Sequence, residues 1–345
     1  MIHFSRRTSM AAKGAAVILM LIHHLFSCNT ELAARYGVTY APFSEGQVMA
    51  FSAMAKICVG IFVFLSTYGM TVSLANYKGR MSGYLKHRMT KLMVSFWIVY
   101  ALSAATFFFR PEHLGVYAGD GKFRGLIYIL ADISGLSHMF GTPTYNETWW
   151  YMTLAILLVF LTPVLIRFYE KFRICAVAVI ALLPALGLPQ SGLTTYLFTA
   201  MLGIWAAKSG CFGILREKLS SGGRKAGFLL LNILVLVFLC YLRMQIGLVY
   251  WADALIAFSL AAELFVLMDL LPMRFPVLSF IGNCSMNIFL IHTLIFEYYF
   301  PAFIYSPKNW ILITLLLLAV SAAVSFVIKL LQDAVLKKLL RRREA

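Results

Sequence analysis

Apolar runs long enough to cross a bilayer recur along almost the whole chain, and they constrain the fold more than any other feature. A helical span needs about 20 mostly apolar residues, because lipid offers no partner for backbone N–H and C=O groups. Ten segments qualify, near 11–28, 51–75, 92–110, 149–169, 174–190, 193–209, 226–247, 250–270, 277–300 and 309–331. Charged residues make up 13% of the 345. That is about half of the roughly 25% a soluble domain carries, too little to cover a water-soluble globule. The expected fold class is all-α polytopic membrane protein, with about ten transmembrane helices in a single integral-membrane domain over 1–345. No repeat, soluble domain or cleavable leader is expected.

A net charge of +16 would suit nucleic acid if it formed one patch. Here the basic residues sit in short runs between apolar stretches, so no nucleic-acid partner is expected and the lipid bilayer is. With the N-terminus inside, only Arg35, Lys56, Arg110, Lys122, Arg124, Arg243 and Lys308 of the 30 Lys and Arg fall outside or near the outer ends. The asymmetry predicts both termini in the cytoplasm and an even number of spans. The long exterior stretch 111–148 contains an apolar run broken by Asp132, Gly135 and His138. It reads as a surface-lying or re-entrant helix. The six cysteines show no CxxC spacing and read as small apolar fillers, with no disulfide framework or metal site expected.

Polar groups inside spans are costly, about 2.5–3.5 kcal/mol for a charge at the membrane centre. The first span carries Lys13 and His24, eleven residues apart. At about 100° per residue they share one helix face, while His23 points about 100° away, toward lipid or a different neighbour. Histidine titrates near neutrality and makes a plausible general base, although a packed, satisfied histidine would give the same pattern. Ser66 and Tyr68 lie in the inner half of the second span, followed by the basic segment YLKHRMTKL with Arg88 and Lys91. That cluster could receive phosphates or simply set topology. His292 and Glu297 lie toward the outer end of the ninth span, and Glu147, Trp149 and Trp150 open the fourth. The tryptophans would equally make an interface belt. Basic groups and hydroxyls thus gather inward, and histidines, acids and tryptophans outward. This suits an enzyme taking an anionic activated donor from within and serving an acceptor outside.

These residues resemble acyltransferase family 3, the bacterial integral-membrane acyl-CoA-dependent O-acyltransferases. The resemblance rests on the basic-x10-His signature from Lys13 to His24, on FVFLSTYGM, YLKHRMTKL and TWWYMTLAILLVFLTPVL, and on FIGNCSMNIFLIH for the family's L-G-x-x-S segment. The chain departs from the pattern in having Lys13 for the usual Arg, Thr67 for a common Gly, and no Pro after Lys91.

The resemblance implies transfer of acyl groups other than aminoacyl groups, with His24 essential, Lys13 and Arg88 binding the donor, and a location in the bacterial plasma membrane. The donor would be acetyl-CoA or another acyl-CoA, with no tightly bound cofactor. The acceptor would be a hydroxyl of a cell-surface polysaccharide or lipid-linked glycan. The expected sites are then His24, His292 and Glu297 for catalysis, Lys13, Ser66, Tyr68, Arg88 and Lys91 for the donor, and Glu147, Trp149 and Trp150 for the acceptor. His24 would act as general base or as a transient acyl carrier. Ser66, Tyr68 or a protonated His292 would meet the thioester oxyanion. The alternative is a proton-coupled transporter or flippase of a glycan precursor, using the same membrane histidines and acids as relays.

Overall fold

The computed structural model describes residues 4–105, 115–117, 121–187, 191–247, 249–271 and 275–341. It is 86% helical, with no strands among the described residues. The positions 106–110, 188–190, Arg110, Arg274, Arg342 and Arg343, which contribute to the expected spans and charge asymmetry, lie outside the described residues. The main helices are α1 (Arg6–His23), α2 (Glu45–Met54), α3 (Cys58–Ala75), α4 (Met81–Ala105), α5 (Lys122–Ile133), α6 (Trp150–Phe172), α7 (Ile174–Leu182), α8 (Gly192–Ser209), α9 (Cys211–Lys218), α10 (Gly222–Tyr241), α11 (Val249–Leu270), α12 (Pro276–Thr293) and α13 (Trp310–Arg341).

Seven continuous helical stretches are long and apolar enough to span a bilayer, or eight if the bent pair α8–α9 counts as one. Hydropathy alone leads one to expect about ten. Two of the expected segments fall short within the described residues. The apolar half of α4 is preceded by the basic turns holding Lys86, Arg88 and Lys91. The stretch Ile174–Leu186 is a short apolar helix, ended where Pro184 and Gly187, at φ 64°, turn the chain.

Local chemistry sets the helix ends. Ser5 caps α1 by accepting from the Thr8 N–H at 3.0 Å. Ser44 and Gln47 form a reciprocal capping box on α2, and Ser191 with Thr194 does the same for α8. Gly210 and Gly247 stop their helices at φ 65° and 73°, a left-handed backbone that costs glycine least. The stretch expected to lie outside contains a helix, α5, whose Phe123, Leu126, Ile127 and Leu130 are exposed.

The described contacts divide into two compact units. The first comprises Met1–Thr30, Tyr40–Lys78 and Phe160–Ser285. Within it α1 and the start of α12 meet backbone to backbone. A Cβ added at Gly14 would lie 2.1 Å from the Leu278 carbonyl oxygen, and one at Gly282 would lie 1.9 Å from that of Met10. Such close approach is how helices associate where no hydrophobic force drives them together. Gly282 is the glycine of the FIGNCSMNIFLIH segment, so its place in that motif has a steric reason. Gly282→Val should therefore cost about 1–3 kcal/mol through overpacking. Gly69→Ala, where a Cβ meets nothing within 4 Å, should be neutral or slightly stabilising. Thermal unfolding of both variants in detergent checks this, and equal midpoints would refute the close-packing reading.

The second unit comprises Glu31–Thr39, Gly79–Val159 and Met286–Ala345. Here α4 packs on α13, and the Trp97 indole donates to the Ile133 carbonyl at 3.0 Å. Lys308 and Trp310, at the start of α13, are tied to the backbone of Thr39.

Candidate functional site

In the first unit, α1 carries Lys13 and leads directly into His24, and both residues are half-buried. At His24 the helix changes. His24–Cys28 form a π-helical turn, and the Asn29 side-chain amide donates to the His24 carbonyl at 3.0 Å. Such turns are rare and concentrate at functional sites. His23, expected to face lipid or another neighbour, is buried. Its Nδ1 lies 2.9 Å from the Ser52 carbonyl oxygen. A carbonyl only accepts, so Nδ1 carries the proton and Nε2 the lone pair. The two imidazole rings lie 5.4 Å apart.

The candidate donor-site hydroxyls of this unit lie among packed side chains. The Tyr68 hydroxyl accepts from the Phe4 N–H at 3.0 Å, and its ring packs against Phe4 and Phe212. Ser66 is half-buried on the same helix. Thr67, which stands where the resemblance expects glycine, is fully buried. Its hydroxyl donates to the Val63 carbonyl at 3.0 Å and lies where a Cβ on Gly203 would intrude. The glycine at this helix crossing is thus supplied by α8.

In the second unit, Arg88 on α4 donates from Nε to the Tyr84 hydroxyl at 3.2 Å and lies over that ring, while Lys91 is exposed. Trp149 is 2% exposed, which does not match an interface belt. Its indole donates to the Leu290 carbonyl at 3.0 Å, and it packs on Phe96 and Tyr145. Trp150 is half-buried and Glu147 exposed.

His292 is 0% exposed, and its Nδ1 lies 2.7 Å from the Phe289 carbonyl oxygen. The same reasoning places the proton on Nδ1. Glu297 is exposed on a second π-helical turn, Leu294–Tyr299, and Tyr298 lies within electrostatic reach of both Glu297 and Glu147.

Two features are not evident from the sequence. The first is a hub on Asp132, which is 1% exposed. It accepts from the Tyr117 hydroxyl, the Ser137 and Thr144 hydroxyls at 3.2 and 2.7 Å and the Tyr145 N–H at 2.8 Å. Burial, then the Asp132 charge, hold the Tyr117 phenol well above its usual pKa, so it stays a donor. The hub anchors the loop whose Asn146 donates to the Thr293 hydroxyl at 2.7 Å, and so fixes the approach to Trp149. The second is a buried ion pair in the first unit, Arg243 Nε to Asp253 Oδ1 at 2.5 Å.

Among the described cations of the basic segments, several are matched locally. Lys225 and Arg216 pair with Asp269 at 2.7 and 3.1 Å, and Lys208 pairs with Glu170 at 2.5 Å.

A family model described as an acyltransferase domain, that of acyltransferase family 3, matches residues 11–330. The chain belongs to acyltransferase family 3. The match takes in Lys13, His24 and every other candidate residue above. Searches of curated proteins and of solved structures gave no match. This family member is a membrane acyltransferase, and the chemistry its site must perform is movement of an acyl group.

Proposed function

We propose that this protein transfers an acyl group, in the first instance acetyl, from acyl-CoA on the cytoplasmic side to a hydroxyl of a cell-envelope glycan on the other side. The reading places the protein in the bacterial plasma membrane with both ends inside. The observation that carries it is the arrangement along α1. A cation, Lys13, and a half-buried imidazole, His24, lie on one continuous helical stretch of a chain that belongs to this family.

In the proposed reaction His24 takes the acceptor hydroxyl proton as the oxygen attacks the thioester carbonyl. The C–S bond breaks, the new ester C–O bond forms, and the proton passes to the departing thiolate. If His24 instead carries the acyl group, an acyl-enzyme accumulates when acceptor is withheld. Lys13, Arg88 and Lys91 offer charge to the coenzyme A phosphates, and Ser66 and Tyr68 offer hydroxyls toward the thioester. Trp150 and Glu147 serve the glycan, positioned with Trp149. His292 and Glu297 complete the outer polar set.

Purified protein in liposomes, given labelled acetyl-CoA and glycan on opposite sides, should place the label on glycan hydroxyls. Arg88→Ala should raise the Michaelis constant for acetyl-CoA about tenfold, the loss of one charge-assisted contact, with acceptor dependence unchanged. An unchanged donor constant would remove Arg88 from the site. Glycan movement without thioester consumption would favour the transporter.

A further inference from the structure

The end of α1 holds three metal-ligating groups that the acyl-transfer chemistry does not use together. One ligand atom from each of His23, His24 and Cys28 lies within 4.8 Å of those of the other two. On an α-helix, Cys28 would sit about 140° around the axis from His23, at about 100° per residue over five positions. The π-helical turn over His24–Cys28 folds it back. The Cys28 sulfur lies 3.4 Å from His23 Nε2.

Three observations make this more than proximity. His23 donates its Nδ1 proton to the Ser52 carbonyl, so its other nitrogen presents a lone pair toward the sulfur. That backbone tether is the support metal-bound histidines usually have. The 3.4 Å separation also matches a tetrahedral site. Zinc bonds of about 2.0–2.1 Å to nitrogen and 2.3 Å to sulfur place those ligands roughly 3.5 Å apart. Finally, burial grades from His23, buried, through His24, half-buried, to Cys28, exposed, so the cluster is reached from the protein surface at its Cys28 end.

The nearby positive charges do not forbid a cation. Arg243 is matched by Asp253, Lys56 is exposed, and a bound thiolate contributes a negative charge.

We propose that His23, His24 and Cys28 form a binding site for a zinc-class ion, and that the ion and acyl transfer compete for the His24 imidazole. The Cys28 thiol proton leaves to solvent as the sulfur–metal bond forms. Each histidine gives one nitrogen lone pair, and mixed imidazole and thiolate ligands favour zinc over magnesium or calcium. While the ion is bound, the His24 lone pair is not available as a base. The competition, unlike the binding, rests on the functional reading above.

Cobalt(II) serves as the probe on the full-length protein in detergent. One equivalent should bind, giving tetrahedral visible absorption and a thiolate-to-cobalt charge-transfer band that added zinc abolishes. Cys28→Ser should remove that band and weaken binding by more than the roughly 10–100-fold that loss of a supporting outer partner brings. Cys175→Ser, altering another exposed cysteine, should keep both. Zinc should inhibit acyl transfer reversibly in the wild type, and Cys28→Ser should retain transfer but lose most of that sensitivity. A band unchanged in Cys28→Ser, or no band in the wild type, would overturn the site. Unaltered zinc inhibition in Cys28→Ser would overturn the competition. Absence of any acyl transfer, with cobalt binding intact, would strike the functional reading and leave the site standing.

Discussion

His24→Ala should abolish acyl transfer, lowering the rate by at least the roughly 10²–10⁴-fold that a positioned general base supplies, while leaving thermal unfolding nearly unchanged. His23→Ala should do the reverse. His23 is buried and bonded to the Ser52 carbonyl, so its removal leaves a buried acceptor unmade at a cost of about 1–3 kcal/mol. His24 is half-buried at the start of the wider turn, where truncation opens little. The two variants thus separate chemistry from packing at adjacent positions. Labelled-acetyl transfer and unfolding in the same detergent give both readouts. Comparable loss of rate in the two, with comparable stability, would break the assignment of separate roles to the two rings.

Register along a regular helix is legible in residue spacing alone. Lys13 and His24 follow one helical path, as the eleven-residue spacing requires, since about 3.6 residues per turn hold from Arg6 to His23. The spans are legible because the bilayer demands long apolar runs, and α11 and the continuous helical stretch Pro276–Tyr299 fall close to their expected bounds of 250–270 and 277–300, while α3 begins seven residues after its expected start at 51. What the chain does not display is of one physical kind. A π-helical turn has no residue signature, so the return of Cys28 to His23 leaves no mark in the spacing, and the cysteines look like fillers. Gly14 and Gly282 are ordinary glycines of the chain until α1 and α12 cross at them. Trp149 looks like half of an interfacial pair because sequence carries no record of the Leu290 carbonyl it meets. Asp132 interrupts an apolar run and so looks like a break, yet it is the acceptor around which the loop through Thr144 and Tyr145 folds. Local periodicity is written along the chain. Partners across helices are not.

The Arg243–Asp253 pair should give the largest stability effect of any single change outside the catalytic residues. Arg243 lies on the π-helical turn Leu242–Ile246 after α10, and Asp253 lies one turn into α11, so the pair closes the junction of two consecutive helices. Asp253 is 0% exposed, and the Arg243 side chain is 9% exposed. Two desolvated charges repay their dehydration only through each other, so removing one is far worse than removing both. Asp253→Ala should cost about 3–5 kcal/mol by stranding the guanidinium. The double change Arg243→Met with Asp253→Leu should return most of that loss, because apolar side chains of similar size carry no dehydration penalty. Asp253→Asn should fall between, keeping an acceptor at Oδ1 while losing the charge. Asp253 Oδ2 makes no hydrogen bond among the described residues, so the aspartate is held by that one partner and the charge on it. Unfolding midpoints of the two single variants and the double form a cycle that isolates the coupling. The backbone also enters the result. The Asp253 carbonyl would lie 3.1 Å from a Cβ on Gly60, so a shift of α11 on losing the pair presses on α3, the helix that carries Ser66 and Tyr68. Asp253→Ala should therefore weaken acetyl-CoA use even at temperatures where it remains folded, and the double variant should recover it. A double variant as unstable as Asp253→Ala would show that the junction depends on these side chains for shape and not for charge balance.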